Sequence, residues 1–329
     1  MFQLSAARCL LGLLVLPLAI VAQDKATPQP DKKNCWLRDG NSPAPSTAYL
    51  LCEQGQIWVT GDGGKTWAQR NTGATGRLRA FAWVDANRGY AIGDSGIILA
   101  TSDAGKTWQP RESGVKEHLM DITFVGESGW IAGYRGVVLH SNDGGKTWVH
   151  QTTSTTLTLE NIFFLDKEHG WAVGWSGTIL RTVDGGTTWS VAKADKVQWT
   201  LNAVYFSNAN DGWIAGFAGQ IARTRDGGVT WALQVSPVKN TLSAITFDHS
   251  NRGWITYDDG FLLSEDRGET WKPQPAGGRY FLSKLLPVDK TMWAMGQSVV
   301  LQQGGSGKEW KKIDSLVAGR TLGGSDAKR

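Results

Sequence analysis

The chain has little charge, few histidines and few cysteines. Only 19% of its 329 residues are charged, the formal net charge is +4, and there are 5 histidines and 3 cysteines. Such a balanced charge excludes a dedicated nucleic-acid-binding protein, because these proteins carry a strong basic excess. The histidines are scattered along the chain and form no zinc-binding cluster. We therefore expect no metal, no other cofactor and no nucleic-acid partner.

Long apolar runs are also lacking. The apolar run at the N-terminus extends from Cys9 to Ala22 and follows Arg8, whereas a membrane span needs about 18–20 residues. A short apolar run after a positive charge is typical of a secretory signal peptide. We predict a signal peptide at 1–22, a leader at 23–45 and a periplasmic or secreted location, with an uncleaved anchor as the alternative.

Removal of the signal would leave two cysteines, Cys35 and Cys52. An even pair in an exported protein suggests a disulfide, and closing a loop of this length contributes roughly 3 kcal/mol in the chain-entropy treatment. Two unrelated buried thiols are the alternative.

Glycine and tryptophan, by contrast, are abundant, at 41 and 17 residues, and both follow an internal repeat. Sequences such as TSDAGKTW, SNDGGKTW and TVDGGTTW end at regularly spaced tryptophans, and a seventh copy, QGGSGKEW, is degraded. The spacing is about 40 residues, and the seven positions are Trp67, Trp108, Trp148, Trp189, Trp231, Trp271 and Trp310. A period of this length is typical of propeller blades.

Each unit contains four short runs that alternate or are apolar, separated by glycine turns, as in β-strands. We name them A to D from the inside outward: A is the LxxIxF run, B the Gly-Trp run, C a run such as TILRT, and D begins at Thr-Trp. The pattern predicts an all-β, seven-bladed β-propeller with four-stranded blades over residues 46–313. Residues 314–329 are expected to be a closing segment and a disordered tail. Strand A of the first blade is not evident, and either Cys35–Arg38 or Leu316–Leu322 must supply it.

The repeated aspartate lies at the turn between strands C and D. Its carboxylate can accept hydrogen bonds from its own turn, and the glycine two residues later suits a positive φ. Six equivalent turns around a ring cannot converge on one substrate, so we interpret all six aspartates as structural: Asp62, Asp103, Asp143, Asp184, Asp226 and Asp266.

The motif Ser/Thr-x-Asp-x-Gly-x-Thr-Trp resembles the Asp box of bacterial neuraminidase repeats. Combined with units such as GWAVGWSGTILRTVDGGTTW, at 170–189, it is most similar to the photosystem II assembly and stability factor family. This resemblance implies a seven-bladed propeller and a non-enzymatic protein-binding role. The alternative is a glycan-binding or glycan-hydrolysing, sialidase-like propeller, but we find neither the Phe/Tyr-Arg-Ile-Pro motif of sialidases nor a marked pair of carboxylates, and we assign no catalytic residue.

The turns between strands B and C vary most between units, as a recognition surface allows. Three consecutive units place Tyr134, Trp175 and Phe217 there, with Arg135 beside the first and Trp199 in a D–A connection. We predict that these five residues bind an exported or membrane protein segment, with the propeller acting as a monomer. For the two tryptophans, covering a linker is the alternative.

Two arginines are further candidates. Arg181 and Arg223 occupy the same position in strand C of neighbouring units. An arginine patch is implicated in partner binding in the family that the repeat resembles, which makes the pair candidate partner-binding residues. Solvated charges on an outer strand are the alternative.

Overall fold

Seven antiparallel sheets account for almost all regular structure in the computed structural model, which describes residues 35–297, 299–304 and 309–313. Each sheet has four strands that follow one another along the chain. The strands of the first four blades are β1 (Leu37–Ala44), β2 (Thr47–Cys52), β3 (Gln56–Thr60), β4 (Ala68–Asn71), β5 (Leu78–Trp83), β6 (Gly89–Gly93), β7 (Ile98–Thr101), β8 (Gln109–Arg111), β9 (Leu119–Val125), β10 (Ser128–Gly133), β11 (Val138–Ser141), β12 (Val149–Gln151), β13 (Leu159–Phe164), β14 (Gly170–Gly174), β15 (Ile179–Thr182) and β16 (Ser190–Val191). Those of the last three are β17 (Leu201–Phe206), β18 (Gly212–Gly216), β19 (Ile221–Thr224), β20 (Ala232–Gln234), β21 (Leu242–Phe247), β22 (Gly253–Tyr257), β23 (Gly260–Ser264), β24 (Lys272–Pro275), β25 (Leu282–Val288), β26 (Thr291–Gly296), β27 (Val299–Gln303) and β28 (Trp310–Lys312).

The predicted seven-bladed propeller with four-stranded antiparallel blades is therefore confirmed. Strands A pack against strands A of both neighbouring blades, and β1 packs against β25 to complete the ring. Strand B is buried along nearly its whole length in every blade, whereas strand D is mostly exposed. This difference in burial explains why the sequence of strand B is a continuous apolar run while strand D carries polar residues.

Of the two predicted sources for strand A of the first blade, the structure uses the N-terminal one, predicted at Cys35–Arg38. This strand is β1, with the sequence LRDGNSPA, so the propeller begins at Leu37 rather than at residue 46. The repeat did not reveal this strand, because only its first leucine matches the apolar pattern of the other A strands. The structure pairs Cys35 with Cys52, which ties the chain before β1 to the end of β2. The predicted signal peptide and the predicted segment at 314–329 lie outside the described residues.

Each complete C–D turn is held by the same set of hydrogen bonds. In the third blade the Asp143 carboxylate accepts from the Thr147 backbone N–H (3.0 Å), the Thr147 hydroxyl (2.7 Å) and the Ser141 hydroxyl (2.8 Å). The Ser141 oxygen in turn accepts from the backbone N–H of Gly145 (2.8 Å). Burial acts to raise the pKa of Asp143, but these hydrogen bonds outweigh it and lower the pKa from 3.8 to about 2.

The C–D turn of one blade also receives the strand-B ring of the blade before it. The ring N–H or hydroxyl donates to a carbonyl of that turn at 2.6–3.2 Å in five blade pairs: Tyr49 to Ala104, Tyr90 to Gly144, Trp130 to Gly185, Trp171 to Gly227, and Trp213 to Gly268. The ring fits because the turn has a glycine where it passes. At Gly228, φ is +86° and an added Cβ would lie 2.4 Å from Trp171 Nε1.

Gly228→Ala should therefore lower the free energy of unfolding by about 2–5 kcal/mol, since the left-handed backbone and the clash with Trp171 both add cost. Gly63→Ala is the matched control, because no atom lies within 4 Å of its added Cβ and Ala104 already occupies the equivalent position in the second blade with φ +59°. The control should cost only about 1–2 kcal/mol. Equal losses for both variants in urea unfolding would contradict the ring-to-turn contact.

Asp143→Ala should lower the free energy of unfolding by about 1–3 kcal/mol at pH 7 through the lost turn bonds. Because the folded-state pKa lies below the unfolded value, this contribution is present above about pH 4 and disappears as the pH falls towards 2. Urea unfolding at pH 7 and pH 2 measures the difference, with the exposed Asp195→Ala as control. A penalty that does not shrink in acid would show that the carboxylate charge is not involved.

Candidate partner-binding site

The B–C turns and the D–A connections lie on the same face of the ring, which we call the B–C face. This follows from the antiparallel order of the blades, in which the A–B and C–D turns occupy the opposite, C–D face. The B–C turns of the second to fifth blades are short 3₁₀ segments of one design, Asp94–Gly96, Tyr134–Gly136, Trp175–Gly177 and Phe217–Gly219.

Each of these turns is fixed to its own blade while its first side chain remains free to vary. The backbone N–H of Trp175 donates to the carbonyl of Thr158 at 2.9 Å, and that of Phe217 donates to the carbonyl of Thr200 at 2.8 Å. The second residue has a positive φ, +56° at Arg135, and a glycine follows. The repeat therefore sets the backbone and leaves the first residue of the turn to determine the surface.

Exposed aromatic side chains surround this face. Trp175, Trp199 and Phe217 are 43%, 54% and 50% exposed, and Phe281 is 55% exposed. Together with Trp36 and the half-buried Tyr134 they form a set that we call the aromatic collar: Trp36, Tyr134, Trp175, Trp199, Phe217 and Phe281. Burying aromatic rings of this size supplies much of the energy of a typical interface.

The structure brings some of the predicted residues together and separates others. The rings of Tyr134 and Trp175 are in contact, with centroids 6.2 Å apart, and Trp175 Nε1 donates to Glu160 Oε1 at 2.6 Å. On the same face, Trp199 lies in the D–A connection after the fourth blade, and Phe217 lies in the B–C turn of the fifth blade. Arg135 is exposed beside Tyr134.

Arg181 and Arg223 lie elsewhere and do not belong to the collar, so their role in partner binding stays a separate prediction. They precede the C–D turns and therefore lie at the other end of their blades. Arg223 is 9% exposed, forms ion pairs with Asp211 (3.1 Å) and Glu269 (2.7 Å), and lies over the Trp213 ring. Arg181 Nε donates to the carbonyl of Gly227 at 2.7 Å. Both arginines thus have contacts within their own protein.

Sequence reasoning missed Phe281 as a member of the collar and did not use Trp36. Both residues immediately precede the first leucine of strand A, where three other blades have Thr158, Thr200 and Thr241. Aligning the residue before strand A across the repeat would have identified them.

A cavity of about 530 Å³, which we call the axial cavity, lies where the seven A strands meet. Strand A starts at the B–C face, and residues from its second position onward line the cavity. Six of the lining residues are charged: Arg38, Asp39, Arg79, Asp121, Glu160 and Lys284.

Side chains at the third position of strand A link neighbouring blades around the cavity. Asp39 Oδ2 accepts from the backbone N–H of Phe81 in the second blade, and Asp121 Oδ2 accepts from that of Ile162 in the fourth, both at 3.0 Å. Asp39 Oδ1 also accepts from Lys284 Nζ at 2.8 Å, which joins the first and last blades. Three other blades have alanine here and the fourth blade has Asn161, so these charges were visible in the sequence as departures from the repeat.

Asp121 titrates at an unusual pH. Burial is the main cause that raises its pKa, from 3.8 to about 6, against the lowering effect of Lys284. Lys284 experiences the opposite influences: burial lowers its pKa, but Asp39 and Asp121 raise it above the ordinary value.

The described residues contain no group of three or more histidine, cysteine or acidic side chains placed to hold a metal ion. Nor do they include a helix that is long and apolar enough to cross a membrane.

Comparison with known proteins identifies the repeat. Residues 74–160 and 149–236 each match the family described as "Photosynthesis system II assembly factor YCF48". No curated protein matches the chain.

Solved structures share the fold. YCF48 bound to D1 peptide is 20% identical and superimposes with a TM-score of 0.63 over 74% of this chain and 83% of its own. YCF48 from Cyanidioschyzon merolae is 17% identical, with a TM-score of 0.69 over 84% of this chain and 97% of its own. An ancestral GH74 enzyme is 11% identical, with a TM-score of 0.67 over 85% of this chain and 46% of its own. Because the two family matches together extend from residue 74 to residue 236 within a propeller of this fold, the chain belongs to the family of the photosynthesis system II assembly factor YCF48.

Proposed function

We propose that the protein is a non-enzymatic assembly factor that binds an extended, apolar segment of an exported or membrane protein on its B–C face. The aromatic collar is the observation that carries this proposal. Four large aromatic side chains of the collar are 43–55% exposed on one face, and exposed apolar surface of this kind on a protein usually marks an interaction site.

Family membership supports the same role. A solved YCF48 structure contains a D1 peptide, so a propeller of this fold can hold a peptide. The GH74 enzyme shares the fold at 11% identity, which carries no argument for glycan hydrolysis here. The disulfide between Cys35 and Cys52 is consistent with a periplasmic or secreted protein, and we propose that it acts there as a monomer.

A library of random nonapeptides, blocked at both ends, tests the binding role with no partner chosen in advance. Selection on the full-length protein should enrich peptides with several apolar residues. Trp175→Ala combined with Phe217→Ala should weaken binding of the selected peptides at least tenfold, because both rings lose their contact with the peptide.

Val149→Ala combined with Leu233→Ala is the matched control, since these side chains are 66% and 42% exposed on outer strands away from the collar. The control should bind the peptides normally, and all variants should keep the melting temperature of the natural protein within a few degrees. Failure to select any peptide, or normal binding by the collar variant, would overturn the proposal.

A further inference from the structure

The junction between the last and the first blade is built differently from most others. Each sheet consists of four consecutive strands, so the ring closes without a strand exchanged between these two blades. The strand-B ring of the last blade, Trp293, lies against the C–D turn of the first, where an added Cβ at Gly64 would be 3.0 Å from it. Its Nε1 has no hydrogen-bond partner in the part of the chain that the structure describes. This junction therefore lacks the ring-to-turn bond that five other blade pairs form.

Two polar contacts hold the junction at the axis and on the C–D face. Lys284 of the last blade binds Asp39 of the first at 2.8 Å. Between the A–B turns, the Asp289 carboxylate accepts from the backbone N–H and the hydroxyl of Ser46, both at 3.0 Å. Neither contact involves a turn of the B–C face.

On the B–C face, Cys35 and Trp36 connect the two blades, and we call these two residues the latch. Cys35 is bonded to Cys52 at the end of β2, and the Trp36 carbonyl accepts from the backbone N–H of Glu53 at 3.0 Å. Both of these partners belong to the first blade. Trp36 also forms an antiparallel β-bridge with Gln297, which follows β26 of the last blade. The latch is thus held covalently by one blade and by backbone pairing to the other.

The latch also carries one ring of the collar. The Trp36 side chain is 38% exposed, and the guanidinium carbon of Arg38 lies 5.3 Å from its ring centroid. Chain that precedes the first strand of a domain is poorly ordered unless it is tied down. The disulfide supplies that tie, so the position of the Trp36 ring depends on it.

We propose that the latch is redox-sensitive: with the Cys35–Cys52 disulfide formed it closes the ring on the B–C face and fixes Trp36 in the collar, and reduction releases Trp36 and weakens partner binding without unfolding the blades. The binding part of this proposal rests on the peptide-binding role. The contacts of Lys284 with Asp39 and of Ser46 with Asp289 do not involve the disulfide, so they keep the two blades together after reduction.

A dithiol supplies the electrons for this step. Cys35 is half-buried and Cys52 is fully buried, so a thiolate of the reductant attacks the Cys35 sulfur, and Cys52 leaves as a thiolate that takes up a proton. The second thiol of the reductant then attacks the mixed disulfide, which frees Cys35 as a thiol and leaves the reductant as an internal disulfide. Two electrons and two protons pass from the dithiol to the protein.

Amide hydrogen exchange of the natural protein, oxidised or reduced with dithiothreitol, tests the latch without any partner. The Glu53 N–H, which donates to Trp36, should exchange roughly tenfold faster or more after reduction, because local opening becomes easier. The Gly63 N–H is the internal control, since it donates to the Ser46 carbonyl at 2.9 Å on the C–D face of the same blade, and its rate should not change. An unchanged rate at Glu53 would overturn the latch. An equal increase at Gly63 would overturn it as well, because the disulfide would then stabilise the whole blade.

The affinity for a selected nonapeptide tests the consequence for binding. Reduction should weaken binding roughly fivefold or more, and reoxidation should restore it, because the Trp36 ring leaves the collar. Cys35→Ser combined with Cys52→Ser should bind as weakly as the reduced protein and should not respond to dithiothreitol, which controls for other effects of the reagent.

An affinity that does not depend on the redox state would overturn the proposal and leave the peptide-binding role intact. Absence of any selected peptide would instead overturn the proposed function, and hydrogen exchange would still decide whether the latch exists.

Trp36→Ala separates the ring from the disulfide. This variant keeps both cysteines, so it should lose affinity by about the same factor as reduction, and reduction should then lower its affinity no further. Phe281→Ala is the matched control, because this exposed ring of the collar is not part of the latch, and the affinity of this variant should still fall on reduction. A Trp36→Ala protein that responds to reduction as strongly as the natural protein would contradict the role of Trp36.

Discussion

The contact between the strand-B ring of one blade and the C–D turn of the next determines much of the structure. The turn can receive the ring only because its aspartate holds the loop closed and its glycine leaves room, as at Gly228 beside Trp171. Five consecutive blade pairs repeat the hydrogen bond. The motif repeated most regularly in the sequence therefore serves cohesion between blades, and the six aspartates at these turns have a structural explanation.

Because the contacts between blades use the turns of the C–D face, the side chains of the B–C face are free to vary. On the B–C face the repeat specifies only backbone features, namely a 3₁₀ turn fixed to the start of strand A. The side chains there can change from Asp94 to Tyr134, Trp175 or Phe217 without disturbing the blades. The collar and the axial cavity both depend on this freedom, since both are built from positions where one blade departs from the others.

Sequence alone predicted the blades well because their signals repeat, so the strands after Ala48 and the turns could be placed by alignment. Sequence analysis could not place features that occur in only one blade. The sequence of β1 lacks the apolar alternation of the other A strands, and its position became clear only from its packing against β5 and β25. The repeat could not show the internal contacts of Arg181 and Arg223, because a period does not reveal whether a charge faces solvent or, as with Arg223, an internal acid. Pairing across the ring, such as Lys284 with Asp39, joins residues far apart in the sequence and needs the folded structure.

Binding of an extended segment on the B–C face is the central claim, and oxidative footprinting of the protein with and without a selected nonapeptide tests it most directly. Trp175 and Trp199 are exposed in the free protein and should be protected from oxidation in the complex. Trp67, a half-buried ring that follows a C–D turn, should be oxidised at the same rate in both states. Protection of Trp67 with no change at Trp175 and Trp199 would place the partner on the opposite face and contradict the account.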